Sequence, residues 1–241
     1  MSEEKPQITL RPKKVLCILG MHRSGTSCLS GSLKAGGLNF GRHNADYAQH
    51  NKKGNQENAD IVDLHNDIME KNSGNWKNPP KNAKWGNEHY ARAKDILCEY
   101  SDVDYFGFKD PRALFVIDGW LKLVPDMQFV GIYRHPSAVA ISLKNRNQFS
   151  ISQGLEIWYK HNIKLLEVHK EREFPIMSFK KNGQSFQEDV AKICRELDLS
   201  IPSEQFYTES LQHSEQEDVP IRIPWKVRRT YRRLEKISVS K

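Results

Sequence analysis

The sequence predicts an α/β protein in which helices flank a central, mostly parallel sheet to form three layers. Short apolar segments typical of buried parallel strands alternate along the chain with longer segments of helical periodicity. The first apolar segment ends in a glycine-rich turn that leads directly into a helix. The 241 residues contain no convincing linker, so we expect a single domain spanning residues 1–241.

The strands are predicted from short apolar or alternating segments. Residues 14–19 (KVLCIL) form a continuous apolar run, and residues 103–109 (VDYFGFK) alternate between apolar and polar side chains. A third strand at 127–133 (MQFVGIY) follows a Pro-Asp turn, and a fourth is expected at 174–179.

Helical patterns occupy most of the remaining chain. The first covers residues 26–35 and is closed by two glycines, which are typical of helix ends. Pro136 opens a later helix, since proline is favoured at the first helical position. The helices are predicted at 26–35, 58–71, 88–100, 136–144, 152–171 and 186–197, with polar loops at 39–58 and 72–84.

Composition indicates a polar protein without a membrane span or an export signal. The mean hydropathy is −0.69, and no apolar run approaches the roughly 20 residues that a bilayer requires. The N terminus lacks an apolar signal core, and the four cysteines have neither CxxC nor metal-ligand spacing. We therefore expect a cytoplasmic protein with reduced thiols.

The positive charge is concentrated at the C-terminal end. The chain has a formal charge of +7, and residues 220–241, with eight basic residues and one acidic residue, account for all of it. Because the other residues sum to zero, no nucleic-acid groove is indicated and no nucleic-acid partner is expected. The basic tail at 220–241 is predicted to form a solvated helix; the alternatives are a cap over a bound phosphate and a contact with a membrane surface.

The turn after the first strand has the features of a phosphate-binding loop. Residues 20–27 (GMHRSGTS) match the P-loop spacing GxxxxGK[ST], with Thr26 in place of the lysine. The glycines let successive N–H groups and a helix N terminus face one anion. A strand–turn–helix junction capped by a hydroxyl is the structural alternative. We predict a P-loop-containing fold with phosphate binding by Arg23, Ser24, Gly25, Thr26 and Ser27.

A second motif lies at the end of the third predicted strand. Arg134 follows that strand, and Ser142 lies in the next helix. An arginine at the carboxyl end of a strand can form a charge-assisted bond to a phosphate, and a helix hydroxyl can add a second contact. Taken alone, the two residues are equally consistent with a structural interpretation, in which Arg134 forms a surface ion pair and Ser142 has no special role.

Together these motifs resemble those of the sulfotransferases that use 3′-phosphoadenosine 5′-phosphosulfate (PAPS). Residues 109–112 (KDPR) are similar to a segment shared by bacterial carbohydrate-type and protein-tyrosine sulfotransferases, and residues 54–57 (GNQE) to a G-x-x-E segment of the bacterial group. The order and spacing of the motifs agree from about Lys14 to Leu199. Phe179 stands where a tyrosine is common in the family, so a hydroxyl contact is lost there.

The resemblance implies transfer of a sulfuryl group from PAPS to a hydroxyl acceptor, a sugar or a glycan precursor. Residues 20–27 would hold the 5′-phosphosulfate, and Arg134 with Ser142 would hold the 3′-phosphate. By analogy with phosphoryl transfer, positioning and fixed positive charge do most of the catalysis. Arg23 and Lys109 are therefore predicted as catalytic cations, and no metal site is predicted.

Glu57 is the first candidate for the base that accepts the proton of the acceptor hydroxyl. Its structural alternative is a carboxylate in the first turn of a helix, where the helix dipole favours it. The fallback bases are His43, His50 and His65, each otherwise expected in a loop or on a helix surface.

Two other classes of function remain open from the sequence. One is a P-loop small-molecule kinase that uses ATP and magnesium, against which the missing loop lysine argues. The other is a non-enzymatic module that binds membrane or nucleic acid through the basic tail.

Overall fold

Four parallel strands form the central sheet. The computed structural model describes residues 10–42, 56–180, 182–203 and 221–240. The strands are β1 (Lys14–Leu19), β2 (Tyr105–Lys109), β3 (Gln128–Tyr133) and β4 (Ile176–Ser178). They pair in the order β2-β1-β3-β4, and each of these pairings is parallel, which confirms the predicted sheet.

Helices fill most of the chain between the strands and follow the last one. In the described part of the chain they are α1 (Thr26–Ala35), α2 (Ala59–Lys71), α3 (Asn87–Glu99), α4 (Ala113–Leu123), α5 (Pro136–Asn147), α6 (Ile151–Arg172), α7 (Gly183–Glu196) and α8 (Trp225–Ile237).

The alternating side chains of β1 divide the core into two halves. Leu16 and Ile18 face one side of the sheet and belong to the cluster formed with α1 and α7. Val15, Cys17 and Leu19 face the other side and belong to a larger cluster that includes α2, α3, α4, α6 and α8. Helices therefore cover both faces of the sheet, and the predicted three-layer α/β fold is confirmed.

The parallel arrangement brings the carboxyl ends of the strands to one edge of the sheet. Ile18 of β1 lies opposite Lys109 at the end of β2, and Leu19 lies opposite Gly131 of β3. The turns that follow β1, β2 and β3 consequently emerge side by side. Three motifs that are far apart in the sequence meet at this edge, where open α/β sheets bind their ligands.

The predicted elements agree with the structure in kind, with one omission. The bounds of β1 and α1 are those predicted, and most others differ by a few residues. Helix α4 (ALFVIDGWLKL) was not predicted, because a short and mostly apolar segment can be a buried strand as well as a buried helix. The predicted strand at 174–179 is shorter in the structure, although the Phe179 N–H continues the pairing by donating to the Tyr133 carbonyl at 2.7 Å.

The basic C-terminal segment packs onto the sheet layers. Val227, Thr230 and Leu234 on one face of α8 are buried, and the helix contacts α6 and β4. After the helix, the Val239 N–H donates to the Ile176 carbonyl at 2.9 Å, which ties this segment to β4. The predicted basic helix is therefore solvated on its basic side only and packs against the core on the other. None of the helices in the described residues combines the length and the apolar character needed to cross a bilayer.

The packing of α8 can be tested with Leu234→Ala. Leu234 is fully buried, so its truncation should lower the free energy of unfolding by about 2–4 kcal/mol. Arg228→Ala, at an exposed position of the same helix, should change it by no more than about 0.5 kcal/mol. Urea unfolding of the two variants measures both values. Equal effects would contradict the packing of α8 against the core.

Candidate functional site

The loop between β1 and α1 has a backbone suited to an anion. Arg23 and Gly25 both adopt left-handed conformations, with φ of 65° and 89°. A Cβ atom on Gly25 would lie 2.2 Å from Cδ2 of Phe179, so only glycine fits this position. No side chain caps the N terminus of α1, and its first turn contains no acidic residue. The helix N terminus is therefore oriented to bind a negative group.

Ser24 provides a second indication of a ligand in this loop. Its side chain is completely buried, and its hydroxyl has no hydrogen-bond partner among the residues that the structure describes. A buried polar atom without a partner is costly, and an anion bound in the loop would supply one.

Arg23, Arg134 and Ser142 lie together beside the loop. Nε of Arg23 donates to Oγ of Ser142 at 2.8 Å, and NH1 of Arg134 donates to the Arg23 carbonyl at 3.4 Å. The Arg134 guanidinium lies over the Phe179 ring, 5.2 Å from its centroid. Phe179, at the position of the family's common tyrosine, thus contacts both the loop and an arginine. The Arg23 side chain contacts the serine predicted to bind the 3′-phosphate.

Positive charge accumulates around Arg23. Burial, together with the nearby charges of Arg146 and Arg134, lowers the pKa of its guanidinium to about 10. Arginines with this mutual repulsion gain from a bound anion, because it offsets both the burial and the repulsion. Arg146 was not singled out in the sequence, although it lies four residues after Ser142 and therefore on the same face of α5.

Lys109 and Glu57 form an ion pair at the end of β2. Nζ of Lys109 lies 2.6 Å from Oε1 of Glu57 and 3.4 Å from Oγ of Ser27 in the first turn of α1. The Lys109 side chain is only 2% exposed. Glu57 precedes Asn58, whose side chain caps α2, so Glu57 is not the first-turn carboxylate of the structural alternative. The structure instead brings the predicted base and a predicted cation into direct contact.

The residues after Lys109 form a buried network that excludes His65 as a base. Nδ1 of His65 lies 2.7 Å from Oδ2 of Asp110, and Nε1 of Trp120 donates to Nε2 of His65 at 2.7 Å. Because the indole N–H can only donate, Nε2 must accept and Nδ1 must carry the proton. His65 is fully buried with both nitrogens engaged. The expectation of a surface histidine at this position is therefore wrong.

Asp110 has a structural role, because it holds Arg112 in place. Burial on its own would raise the pKa of the Asp110 carboxyl, but the Arg112 charge and the His65 hydrogen bond hold it well below its usual range. Oδ1 of Asp110 accepts from the Arg112 backbone N–H at 3.0 Å and from its NH1 at 2.8 Å.

A cavity of about 290 Å³ adjoins these groups. It is lined by His22, Arg23, Thr26, Ser27, Glu57, Ala59, Val62, Asp63, Asn66, Trp76, Lys109, Pro111, Arg112, Leu143, Arg146 and Asn147. Four basic side chains face two acidic ones, so the cavity favours an anionic ligand. Every predicted catalytic residue lines it, together with Thr26 and Ser27 of the loop. Ser24 and Gly25 lie in the loop itself, and Arg134 and Ser142 contact Arg23.

One wall of the cavity is aromatic. The His22 ring lies 4.7 Å from the Trp76 ring, which in turn lies 5.9 Å from the Phe149 ring. Burial lowers the pKa of His22 well below its usual range, and the charge of Arg112 adds to this effect. His22 is therefore neutral at physiological pH. By contrast, Trp85 packs away from the cavity, where its indole N–H donates to the Val116 carbonyl at 3.0 Å.

Some predicted residues lie outside the described part of the chain. These are Gly54 and Asn55 of the G-x-x-E segment and the fallback bases His43 and His50. Within the described residues, no three histidine, cysteine, aspartate or glutamate side chains are grouped so that they could hold a metal ion.

Comparison with known sequences identifies a family. Residues 16–203 match the sequence profile described as "Sulfotransferase family". This segment covers the loop, Glu57, Lys109, Arg134 and Ser142. No curated protein sequence gives a significant match.

Three solved structures of sulfotransferases or sulfotransferase domains have a fold similar to that of this chain. The sulfotransferase domain of the olefin synthase of Synechococcus PCC 7002 aligns with a TM-score of 0.61 at 16% identity, over 97% of this chain and 98% of that domain. The sulfotransferase domain of the curacin biosynthetic pathway gives 0.57 at 15% identity, over 93% and 98%. Sulfotransferase STF1 of Mycobacterium tuberculosis H37Rv gives 0.50 at 14% identity, over 94% and 78%. At these identities the similarity establishes the fold.

The buried histidine behind the aromatic wall makes the stability of the protein depend on pH. Burial lowers the pKa of His161 from 6.5 to about 4, although the bond from its Nδ1–H to the Ile157 carbonyl opposes the shift. Between these pH values the unfolded chain binds more protons than the folded chain. Stability should therefore be complete above pH 6.5 and fall by about 3 kcal/mol as the pH drops to 4.

Denaturant unfolding at a series of pH values checks this expectation. His161→Gln should remove part of the slope between pH 6.5 and 4, and the slope that remains is expected from His22, whose pKa burial also lowers. His169→Gln, on the same helix but only partly buried, should leave most of the slope. An unchanged slope in His161→Gln would contradict the assignment.

Proposed function

The chain belongs to the sulfotransferase family and is thus a sulfuryl-transferring enzyme; from this premise we propose that its donor is PAPS and its acceptor a hydroxyl group. The observation that carries the proposal is the position of the Lys109 ammonium, which contacts Glu57 on one side and Ser27 of the phosphate loop on the other. A base, a cation and a phosphate loop are the groups that an in-line transfer to a hydroxyl requires. The family assignment also decides against the kinase and the non-enzymatic module.

The loop and its arginines fit the anionic groups of the donor. The left-handed backbone at Arg23 and Gly25, the buried hydroxyl of Ser24 and the uncapped N terminus of α1 suit the 5′-phosphosulfate, together with Thr26 and Ser27. Arg134 and Ser142, with Arg23 between them, suit the 3′-phosphate. When bound there, PAPS supplies an activated sulfuryl group.

Lys109 has two tasks in this proposal. Its ammonium holds the Glu57 carboxylate 2.6 Å away in a fixed orientation. It also presents a positive charge toward the loop, where negative charge develops on the leaving oxygen. A nearly buried cation is effective in this role, because little water screens it.

Glu57 is proposed to take the proton of the acceptor hydroxyl. Its side chain lines the cavity and is one-fifth exposed, so an acceptor can reach it. The neutral His22 ring and Trp76 form an apolar wall on which the body of the acceptor can rest. A sugar or glycan precursor, as the sequence predicts, is compatible with an aromatic wall. The chemical identity of the acceptor, apart from its hydroxyl group, stays a prediction.

The role of Arg134 can be tested by binding. Arg134→Ala should weaken the binding of adenosine 3′,5′-bisphosphate by about 1.5–3 kcal/mol, or roughly 10–150-fold in affinity, because a charge-assisted contact to the 3′-phosphate is removed. Adenosine 5′-phosphosulfate lacks that phosphate, so its affinity should barely change. Arg195→Ala, at an exposed position on α7, is the control for loss of a positive charge. Calorimetric titration measures all three, and equal losses for the two nucleotides would refute the 3′-phosphate assignment.

The role of Glu57 can be tested by turnover. Glu57→Gln cannot accept the proton, so kcat should fall by about 10²–10⁴-fold, while adenosine 3′,5′-bisphosphate binds with near wild-type affinity. Some stability should be lost as well, because Lys109 loses its charged partner. Asp60→Asn, which removes a carboxylate from the first turn of α2, should keep normal turnover. Near-normal turnover in Glu57→Gln would show that another group is the base.

A further inference from the structure

Helix α8 presents a straight stripe of basic and aromatic side chains to solvent. The basic stripe consists of Trp225, Arg229, Arg232 and Lys236, which follow one another at spacings of four, three and four residues. At 100° per residue these positions fall within about 60° of one another around the helix axis, and they extend over roughly 16 Å. All four side chains are exposed.

The stripe faces directly away from the rest of the protein. The buried residues of α8 are Val227, Thr230 and Leu234, whose mean direction is about 180° from that of the stripe. Arg228 and Arg233 flank the stripe and are also exposed. The packing of α8 thus turns five basic side chains toward solvent. This basic ridge consists of Arg228, Arg229, Arg232, Arg233 and Lys236.

The described part of the chain supplies no ion-pair partner for the charges of this ridge. Among the described residues no acidic side chain lies within ion-pair distance of the five basic residues, whereas the neighbouring Lys226 pairs with Glu156 at 2.7 Å. The single acidic residue of the helix, Glu235, lies about 90° from the stripe. Residues 220–241 carry a charge of +7 and the remaining residues sum to zero, so the ridge concentrates positive charge on an otherwise neutral chain.

Trp225 adds an apolar group at one end of the stripe. Its side chain is 70% exposed, which is unusual for a large aromatic residue. The Arg229 guanidinium lies 5.2 Å from the centroid of its ring. An exposed indole beside arginines is typical of segments that lie at a membrane–water interface, where the ring enters the headgroup layer and the cations meet lipid phosphates.

We propose that the basic stripe of α8 binds the surface of an anionic lipid membrane. A convex, straight ridge can bring all of its cations against a plane at once, and lipid phosphates supply the opposite charge. Nucleic acid is the less suitable partner, because the rest of the chain has no net positive charge that could line a groove for a phosphate backbone. The proposal is independent of the donor and the acceptor suggested above.

The test is co-sedimentation of the full-length chain with lipid vesicles. The protein should bind vesicles of phosphatidylcholine mixed with phosphatidylglycerol, and it should not bind phosphatidylcholine alone. Arg229→Ala/Arg232→Ala should weaken the binding by about 10–30-fold, since each basic side chain near a charged membrane contributes about fivefold. Binding should weaken further as salt is raised past about 0.15 M.

A matched control keeps the same change in net charge. Lys94→Ala/Lys122→Ala removes two exposed lysines of α3 and α4 and should change the affinity by no more than about twofold. Fluorescence adds a second measurement: anionic vesicles should shift the emission of the wild type to shorter wavelength, and Trp225→Phe should lose that shift.

Several results would overturn the proposal. These are equal binding to neutral and anionic vesicles, no binding to either, or equal losses in the stripe and control variants. Tighter binding to duplex DNA or RNA than to anionic vesicles, with the same dependence on Arg229 and Arg232, would assign the stripe to nucleic acid instead. Thermal unfolding of each variant establishes that a loss of binding is not a loss of fold.

Discussion

The contact between the Gly25 backbone and the Phe179 ring joins the phosphate loop to the far end of the sheet. Gly25 can approach the ring because it has no Cβ and adopts a left-handed conformation. The same ring supports the Arg134 guanidinium, and the Phe179 backbone pairs with Tyr133. The Phe179 side chain therefore fixes the position of the loop relative to Arg134. A shift of the loop or of the ring would separate the loop from that arginine.

Buried charge is the second feature that the site depends on. Lys109 and Asp110 are both nearly inaccessible to water. Lys109 forms an ion pair with Glu57, and Asp110 forms one with Arg112. Ion pairs in such a position contribute little to stability relative to apolar residues of similar size. Their value here lies in orientation: Asp110 holds Arg112, and Lys109 holds Glu57, at the border of one cavity. The network around His65 keeps that arrangement rigid without itself facing the cavity.

The sequence alone determined the fold class and, apart from α4, the order of the elements. The strand and helix before and after residues 20–25 were predicted with the observed bounds, because a continuous apolar strand, a glycine turn and a helical period are local patterns. The resemblance to the sulfotransferases assigned Lys109 and Arg134 to the same site as the loop, and their positions at the carboxyl ends of β2 and β3 explain why they lie near it. These local signals were sufficient for the fold class and, together with the resemblance to the sulfotransferases, for five of the residues that line the cavity: Arg23, Thr26, Ser27, Glu57 and Lys109.

The tertiary structure decided which side chains meet, because no local pattern encodes a contact between distant segments. The pairing of Lys109 with Glu57 and of Arg23 with Ser142 joins residues 52 and 119 positions apart. His65 lies on the same face of α2 as Ile61 and Ile68, and only its polarity suggested a surface position; in the structure Asp110 and Trp120 occupy its two ring nitrogens. Likewise, the mostly apolar sequence of α4 does not distinguish a buried helix from a buried strand. The inner face of α8 is buried although most residues of that helix are charged or polar. In each case burial depends on the other elements that pack there, which the sequence of the segment itself does not contain.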